Sequence, residues 1–462
     1  MPASEISPSH SISSPQQPVF GCILLGGSLS GALVRDIRLA NELARRGYKV
    51  HVWWAMDRQK KSPLRSEIEQ HWLFHGLRFW GPRFRGATEL LGRGFNVFFD
   101  DKARAHSVQR RPKIMQRIME NVMRCICEGV ESDRAVIRRF ARELDQTGVT
   151  HVLPMLEMLC PWVVAARPHL TRPVKYLVTF QGYELYSTYA RSINLEKQLY
   201  ARLVETVEQS DWPAIAVSED YALRVMEEVG VPRHRLCAIP PGVPPATKMD
   251  PARARELVKQ GFGEFREGTP LITYLGRRDT EKGIDLLLYA ARMLMQRGHK
   301  FQLAICGPTL WGDHYGRTCQ QIAEELRCPV MWRRFVPDDV RTALFTASHC
   351  VVYPSIHREP FGMVAAEVVA HGTPAIVPDY GGVASAIEAN GDVAGLRFKV
   401  WDSGDLAHQI ERLLQDRDLH RKLSEAGPRV AEYFSIERLA DRVLGHLGLP
   451  VTDQRRCNQS RG

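Results

Sequence analysis

Two glutamates in one short run carry the groups best suited to chemistry in this chain. Glu359 and Glu367 lie in the run PSIHREPFGMVAAE, which spans residues 354–367. The apolar residues 350–353 before it predict a short buried strand, and a helix is predicted that has Pro360 in its first turn and then runs through Met363 to Ala370. Glu359 is therefore expected in the loop at the carboxyl end of the strand, and Glu367 about two turns along the helix.

This junction has the features of a ligand site. Pro360 suits the first turn of the helix, and Gly362 lets a ligand come close to the backbone. Open α/β sheets bind ligands at the carboxyl ends of their strands, where a helix N-terminus offers free N–H groups to an anion. Carboxylates accept hydrogen bonds from hydroxyls, so a ligand with hydroxyls and phosphates, such as a nucleotide sugar, fits. The alternative is that both glutamates are solvated surface charges.

A second run places two cations at the same kind of edge. The run GRRDTEKG, residues 276–283, follows a predicted strand over Leu271–Gly276 and carries Arg277 and Lys282. Parallel strands of one sheet end at one edge, so these cations are expected near the two glutamates. Two cations there can neutralise a pyrophosphate that leaves with negative charge.

The composition is that of a globular protein with more than one domain. The chain has 462 residues, of which 44% are hydrophobic and 25% charged, so we expect two domains of similar size. No apolar run approaches the length of a membrane span. Residues 1–18 are rich in Ser and Pro and lack the pattern of a signal peptide, so a disordered tail is expected. The ten cysteines show no zinc or redox spacing, which predicts free thiols, a cytoplasmic location and no metal site.

Strands and helices alternate twice along the chain. The first series opens with an apolar strand, a glycine-rich turn and an amphipathic helix, and continues to about residue 240. A linker rich in Pro and Gly is predicted over 241–266, and the alternation restarts at 267 and continues to about 433. We therefore predict an α/β protein of two doubly wound, Rossmann-like domains that face a cleft, with the ligand in that cleft.

From about residue 19 to 447, the chain resembles the retaining glycosyltransferases of family four, which have the GT-B fold. The resemblance rests on the pattern EPFG-x4-E at 359–367 and GR-x4-KG at 276–283. Supporting runs are VSE at 217–219, IPPGV at 239–243, HGTPA at 371–375 and GG at 381–382. The resemblance implies that 19–240 bind the acceptor and 267–433 bind the nucleotide sugar. It also implies that 434–450 form a helix that crosses back to the first domain, ahead of a flexible tail at 451–462.

The resemblance also assigns roles to individual residues. Arg277 and Lys282 would hold the diphosphate of the donor, and Glu367 the hydroxyls of its ribose. Glu359 would hold the transferred sugar, together with the backbone around Phe361 and Gly362. The residues expected to contact the donor or to line its site are Glu359, Glu367, Arg277, Lys282, Gly276, Phe361, Gly362, Met363, Gly31 and Ser30.

Two departures from the family pattern bear on the acceptor side. Many members have two glycines before the first helix, where this chain has Ser30 and Gly31, and the Cβ of Ser30 makes close approach of the backbone less free. Many members also carry a histidine where this chain has Gln181, which cannot act as acid or base at neutral pH. Glu184 then becomes a candidate for orienting the acceptor hydroxyl, with a loop carboxylate facing water as the alternative.

The net charge of +10 is concentrated in one segment. Residues 58–124, here called the basic segment, contain 15 Lys and Arg against 6 Asp and Glu. The same segment carries eight aromatic residues: Trp72, Phe74, Phe79, Trp80, Phe84, Phe95, Phe98 and Phe99. This pattern indicates attraction to an anionic surface, either a membrane or nucleic acid; the family resemblance favours a membrane. The alternative is an ordinary basic face above an aromatic core.

The expected activity is metal-independent transfer of a sugar from a nucleoside diphosphate sugar to a hydroxyl acceptor, with retention of the anomeric configuration. The acceptor class expected from the resemblance is a glycan, including a growing surface polysaccharide, or a lipid-linked glycan. No cofactor is expected besides the sugar donor as co-substrate, and a peripheral position on the inner face of the membrane follows from the basic segment. The alternatives are a GT-B epimerase, or a non-catalytic protein that binds anionic membranes or nucleic acid on this scaffold.

Overall fold

The computed structural model describes residues 17–25, 30–55, 63–73, 123–127, 129–130, 134–309 and 313–451. Most of the basic segment lies outside these residues, as does the glycine pair of the first turn. Among the helices of the described ranges, none combines the length and the apolar composition needed to cross a bilayer.

The first sheet is parallel and grows outward in both directions from its first strand. Its order is β3-β2-β1-β4-β5, with β1 paired to both β2 and β4, as in a doubly wound fold. The strands are β1 (Val19–Leu24), β2 (Lys49–Trp54), β3 (Glu69–Trp72), β4 (His151–Pro154) and β5 (Lys175–Tyr176). A three-stranded parallel sheet follows, of β6 (Thr179–Phe180), β7 (Ala214–Ala216) and β8 (Leu236–Ala238).

Helices cover the strands of this first half. They are α1 (Gly31–Arg45), α2 (Arg134–Thr147), α3 (Cys160–Ala166), α4 (Glu184–Ser192), α5 (Glu196–Glu208) and α6 (Glu219–Arg224). The central strands read as nearly continuous apolar runs because they are buried on both faces. Ser30 is the N-cap of helix α1: its hydroxyl accepts a hydrogen bond of 3.2 Å from the backbone N–H of Leu33, which satisfies one otherwise unpaired donor.

The second sheet repeats the same winding with six parallel strands. Its order is β11-β10-β9-β12-β13-β16. The strands are β9 (Leu271–Leu275), β10 (Gln302–Cys306), β11 (Val330–Arg333), β12 (Cys350–Val352), β13 (Ala375–Pro378) and β16 (Gly395–Phe398), with a small antiparallel pair, β14 (Glu388–Ala389) and β15 (Asp392–Val393), before the last. The helices are α7 (Pro251–Gly261), α8 (Ile284–Gln296), α9 (His314–Glu325), α10 (Asp338–Ala347), α11 (Met363–Ala370), α12 (Ser403–Gln415) and α13 (Arg417–Tyr433).

The last helix, α14 (Ile436–His446), packs against α1 at the other end of the chain. The guanidinium of Arg46 donates to the carboxylate of Asp441 at 2.7 Å and to the backbone carbonyl of Glu437 at 2.8 Å. Because Arg46 is buried and also paired with Glu42, this contact ties the chain's end to its first helix.

Two local expectations are wrong. The run YLVT at 176–179 predicts one strand from its apolar pattern, but it is divided: residue 177 bonds to β4, and β6 pairs with β7. Pro360 is not in the first turn of α11, because Gly362 has the left-handed φ of +82° and the helix begins only at Met363. Glu367 consequently lies just over one turn along the helix, not about two.

Candidate active site

A buried ion pair lies at the carboxyl edge of the second sheet. Lys282 follows β9 and Glu359 follows β12, and the ammonium Nζ of Lys282 contacts Oε1 of Glu359. Both side chains are more than nine-tenths buried. Ser355 donates to the same Oε1 at 2.7 Å, and Lys282 also donates to the hydroxyl of Tyr353 at 3.3 Å. The expectation that these two residues meet at one sheet edge is confirmed in position, and Glu359 is not a solvated surface charge.

Each partner keeps the other charged. Burial alone raises the pKa of Glu359, but the Lys282 ammonium and the Ser355 hydroxyl outweigh it, and the pKa lies below its usual value. Burial lowers the pKa of Lys282, whereas the Glu359 carboxylate beside it raises the pKa by more, so the net shift is upward. The pair is therefore fully charged at neutral pH. Within the described part of the chain, both side-chain hydrogen bonds of Glu359 go to Oε1, which leaves Oε2 able to accept a bond from a ligand hydroxyl.

Arg277 lies beside this pair and is half-buried. Its guanidinium contacts the carboxylates of Asp279 at 2.5 Å and Glu281 at 2.8 Å. The backbone of residue 276 passes so close to Tyr274 that a Cβ on Gly276 would lie 2.8 Å from the tyrosine hydroxyl. A side chain at position 276 would displace this tyrosine. Arg277 and Lys282, each paired with carboxylates, bring two cations to this edge, here called the cationic edge.

The N-termini of two helices face each other across the cleft. A Cβ built on Gly31, the first residue of α1, would lie 3.6 Å from Sδ of Met363, the first residue of α11. At Gly362 a Cβ would lie 2.4 Å from the side chain of Val383, so neither the φ nor the space allows another residue. The ring of Phe361 packs edge-on against Phe434, so Phe361 presents its backbone and not its side chain to this region.

Glu367 is shared between the two halves of the molecule. Its Oε1 accepts a hydrogen bond of 2.7 Å from Arg38 on α1, and its Oε2 one of 3.1 Å from Arg341 on α10. Arg38 also donates to the backbone carbonyl of Gly242 in the linker, at 3.1 Å. Glu367 is 8% exposed, so the alternative of a solvated charge is wrong for this residue as well.

Gln181 lies at the carboxyl edge of the first half, at the end of β6. Its amide nitrogen donates to Oδ2 of Asp36 at 2.6 Å and to the carbonyl of Met155. Asp36 is buried and paired with Arg35 at 2.9 Å. Burial raises the pKa of Asp36, against the lowering effects of Arg35 and Gln181. Gln181 therefore belongs to a polar cluster with Asp36 and Arg35, and its amide nitrogen already donates hydrogen bonds within the protein.

Glu184 does not face water. It begins α4, and its two oxygens accept hydrogen bonds of 2.7 Å from Arg224 and 2.7 Å from the hydroxyl of Tyr221. The imidazole of His357, two residues before Glu359, lies 3.7 Å away. The alternative of a solvated loop carboxylate is wrong: Glu184 lies across the cleft from the Glu359 loop.

Further contacts close the cleft at the same place. Ser218 donates to the carbonyl of Pro360 at 2.7 Å, and Asp220 accepts bonds of 2.8–3.2 Å from Arg358. Arg224 reaches the carbonyl of Arg358 at 3.2 Å. The loop that carries Glu359 is therefore held directly by the start of α6.

Several of these partners were not singled out from the sequence. Arg38 is seven residues after Gly31 and so lies on the same face of α1 two turns later, a spacing that could have identified it. Ser355 was within the quoted run but had no role assigned. Glu157, after β4, is fully buried, and its carboxylate oxygens have no hydrogen-bond partner among the residues that the structure describes; a lone Glu in an apolar run is the sequence signal for it.

Residues 259–430 match the sequence model of the family described as glycosyl transferases group 1. A D-inositol 3-phosphate glycosyltransferase of Nocardia farcinica is 28% identical over 388 residues, which cover 78% of this chain and 82% of that protein. A second D-inositol 3-phosphate glycosyltransferase, from Corynebacterium jeikeium, is 34% identical over 211 residues, or 43% of this chain and about half (49%) of that protein.

Solved structures share the fold across nearly the whole chain. Anabaena Alr3699/HepE in complex with UDP has a TM-score of 0.68 at 15% identity, covering 93% of this chain and 99% of that one. Sucrose-phosphate synthase from Thermosynechococcus elongatus has a TM-score of 0.67 at 18% identity, covering 94% and 98%. The sequence matches identify an enzyme and not a non-catalytic binding protein. From the two wound sheets, the cationic edge and these matches, we conclude that the chain is a glycosyltransferase with the GT-B fold, whose residues 259–430 match the group 1 family.

Proposed function

We propose that this enzyme transfers a sugar, with retention of configuration, from a nucleoside diphosphate sugar to a hydroxyl of a glycan or a lipid-linked glycan. The observation that supports the proposal best is the buried pair of Lys282 and Glu359, with Arg277 beside it, at the carboxyl edge of the second sheet. Doubly wound sheets bind nucleotides at this edge, and the HepE structures, of similar fold, include a complex with UDP-glucose.

The cationic edge suits a departing diphosphate. As the bond between sugar and phosphate breaks, charge grows on the phosphate oxygens, and Arg277 and Lys282 are placed to stabilise it. The N-terminal N–H groups of α11, freed by the left-handed Gly362, add a positive dipole end. In this proposal no metal ion and no cofactor takes part in the step.

Glu359 has two tasks in this proposal. Through Oε1 it holds the Lys282 ammonium in position, and through Oε2 it accepts a hydrogen bond from a hydroxyl of the transferred sugar. A carboxylate that is already bonded on one oxygen is oriented before the ligand arrives, so less entropy is lost on binding. Glu367 would exchange its bond to Arg38 for the ribose hydroxyls.

Of the two acceptor-side residues singled out above, neither Gln181 nor Glu184 is placed to act as a covalent nucleophile. The Gln181 amide has no basic group, and Glu184 is bonded to both Arg224 and Tyr221. We therefore propose that the acceptor hydroxyl attacks on the face that the diphosphate leaves, with a diphosphate oxygen taking its proton. Glu184 and Gln181 act as positioning residues for the acceptor, and α1 and α11 exclude water between them.

A donor screen tests the proposal. The purified full chain is incubated with UDP, GDP and ADP sugars, with and without a panel of glycan and lipid-linked acceptors, and release of nucleoside diphosphate is measured. We expect turnover with one nucleotide, and NMR of the product should show the donor's anomeric configuration. Inverted product, or release of nucleoside monophosphate, would contradict the mechanism.

Arg277→Ala is the matched variant for this screen, because the side chain is half-exposed and its removal does not open the core. Lower turnover under saturating donor is expected, with Arg253→Ala as the control, since Arg253 is an exposed arginine that also pairs with a nearby glutamate. Equal loss in both variants would argue against a role for Arg277 in the reaction.

A further inference from the structure

Three side chains with metal-ligating atoms converge on the first sheet, away from the candidate active site. His51 is on β2, and Glu69 and His71 are on the edge strand β3. The two strands are parallel, with His51 opposite Glu69 and Trp53 opposite His71. His51 and Glu69 are therefore direct cross-strand neighbours, and His71 is the diagonal neighbour on the same face.

The distances suit a single small ion. The Nδ1 atom of His51 lies 3.1 Å from Nε2 of His71 and 3.5 Å from Oε2 of Glu69. All three ligand atoms lie within 4.8 Å of one another. Two ligands at about 2.1 Å from one tetrahedral zinc ion are themselves roughly 3.4 Å apart, so small rotations of the exposed Glu69 side chain would complete the geometry.

Hydrogen bonding alone leaves this group incompletely satisfied. One proton between the two imidazoles can account for the short contact of His51 with His71. Nε2 of His51, on the other side of the ring, is buried and has no hydrogen-bond partner among the described residues; an ion on Nδ1 would place the ring proton there, so the case for an ion rests on the three converging atoms and not on Nε2. Two imidazole nitrogens and one carboxylate oxygen bring their lone pairs close together here, and a cation can accept all three lone pairs.

The surroundings favour the form of histidine that binds metals. His51 is fully buried, and burial disfavours the charged imidazolium, so the ring offers a lone pair to a metal. Trp53 stacks on His71 with 4.6 Å between ring centroids, and its indole N–H donates to Glu143 at 2.8 Å. This stacking fixes the plane of the His71 ring and so restricts where its lone pair points.

We propose that His51, His71 and Glu69 bind one divalent transition-metal ion, of which zinc fits best, and that the ion holds β3 against β2. Two imidazoles and one carboxylate are borderline ligands that select zinc over calcium or magnesium. Strand β3 has only four residues and, within the described ranges, pairs with β2 alone, so a metal link adds to a short ladder. The site has no part in the glycosyl transfer proposed above. The spacing of His51, Glu69 and His71 in the sequence does not predict this zinc site, because the three side chains come together only when β2 pairs with β3.

Zinc binding by the full chain, after treatment with a chelator and gel filtration, tests the proposal. Isothermal titration with zinc chloride should give one tight site per chain, and cobalt(II) should give the visible absorption bands of a tetrahedral complex with nitrogen ligands. Glu69→Gln and His71→Ala are the test variants, because both side chains are partly exposed and their loss should spare the core. His71→Ala should weaken zinc binding by more than the roughly 10–100-fold that loss of an outer-shell partner costs, and Glu69→Gln should weaken it measurably.

His420→Gln is the matched control. His349 and His420 also stack, with centroids 4.2 Å apart, but the Nε2 atom of each is bonded to a backbone carbonyl. This pair should not bind zinc, so the control should titrate like the wild type. Zinc should also raise the unfolding temperature of the wild type but not of His71→Ala. Absence of a tight site in the wild type, or unchanged binding in both test variants, would overturn the proposal.

Discussion

Arg38 on the first helix donates a hydrogen bond of 2.7 Å to Glu367 on the helix that follows the candidate donor loop. The two residues are 329 positions apart in sequence, and both side chains are largely buried. Glu367 also accepts a bond from Arg341 of its own half. One carboxylate therefore links the two wound halves at the edge where we propose that the donor binds, so donor binding and domain contact compete for the same oxygen.

Glu367→Gln should weaken donor use without unfolding the protein. The amide keeps the size of the side chain but no longer offers a charged acceptor to ribose hydroxyls, a loss of about 1–3 kcal/mol in a buried site. We therefore expect KM for the donor to rise roughly 5–150-fold. Arg38→Met is the control, because it removes the contact between the halves but leaves Glu367 and Arg341 in place. A similar rise in KM in both variants would mean that Glu367 acts through the domain contact alone.

Lys282→Ala should lower the stability of the protein as well as its rate of sugar transfer. The substitution leaves Glu359 buried without its cation, and breaking a buried pair in this way costs about 3–5 kcal/mol. Lys282→Met combined with Glu359→Gln removes both charges and should lose less stability than the sum of the single variants. Thermal unfolding scans measure this. The exposed pair of Arg421 and Asp418 supplies the control, and Arg421→Ala should leave the unfolding temperature nearly unchanged.

The sequence allowed the fold and half of the site to be predicted. Apolar residues recur with a fixed period in strands and in helices, so the local sequence predicts both wound sheets. It also predicts that Glu359 and Lys282 lie in the loops after two of the strands. The partners of these residues did not follow, because Arg38 meets Glu367, and Arg224 meets Glu184, only after the chain has folded. The predicted position of Pro360 is wrong for a related reason: the helix begins only after the left-handed turn at Gly362, where the absence of a side chain leaves room for Val383, 21 residues away.

Glu157→Gln should stabilise the protein, and more so as the pH rises. Burial raises the pKa of Glu157 well above its usual value, and the neighbouring Glu184 carboxylate raises it further. The native state therefore keeps a proton that the unfolded chain releases above about pH 4.5, so wild-type stability falls by about 1.4 kcal/mol per pH unit from there to the native pKa.

Because glutamine has no proton to lose, the difference in unfolding free energy between Glu157→Gln and the wild type should grow from pH 4.5 upward and stay constant below it. Denaturant titrations at several pH values measure this. Glu267→Gln, at an exposed carboxylate, should show no such trend. A difference independent of pH would show that Glu157 is ionised in the native state.

A chelator should leave the proposed sugar transfer unchanged but remove the ion from the proposed zinc site. In the proposed mechanism Arg277, Lys282 and the α11 N-terminus neutralise the diphosphate, so turnover measured well below the unfolding temperature should be unchanged by EDTA. The zinc site proposed on β2 and β3 should be emptied by the same treatment, which lowers the unfolding temperature. Strict dependence of turnover on added magnesium or manganese would contradict the metal-independent step and leave the zinc site untouched.

The basic segment should hold the enzyme on an anionic membrane, where a lipid-linked acceptor would lie. It carries an excess of nine positive charges within 67 residues, 15 against 6, in the part of the chain that we propose binds the acceptor. Each Lys or Arg near an anionic surface contributes on the order of 1 kcal/mol, and the attraction decays within a Debye length. Binding should therefore require anionic lipid and weaken as salt rises.

Co-sedimentation with vesicles of anionic or neutral lipid measures this binding. Replacing Lys60, Lys61, Arg83 and Arg85 with Gln should release the protein from anionic vesicles but preserve transfer to a soluble acceptor. The control removes the same charge from exposed positions in the second half, namely Arg255, Lys259, Arg417 and Lys422. If only the total charge matters, both variants lose binding equally. If the wild-type protein binds neither anionic nor neutral vesicles, the membrane proposal fails. The positive charge of the basic segment would then be insufficient to attract the enzyme to lipid.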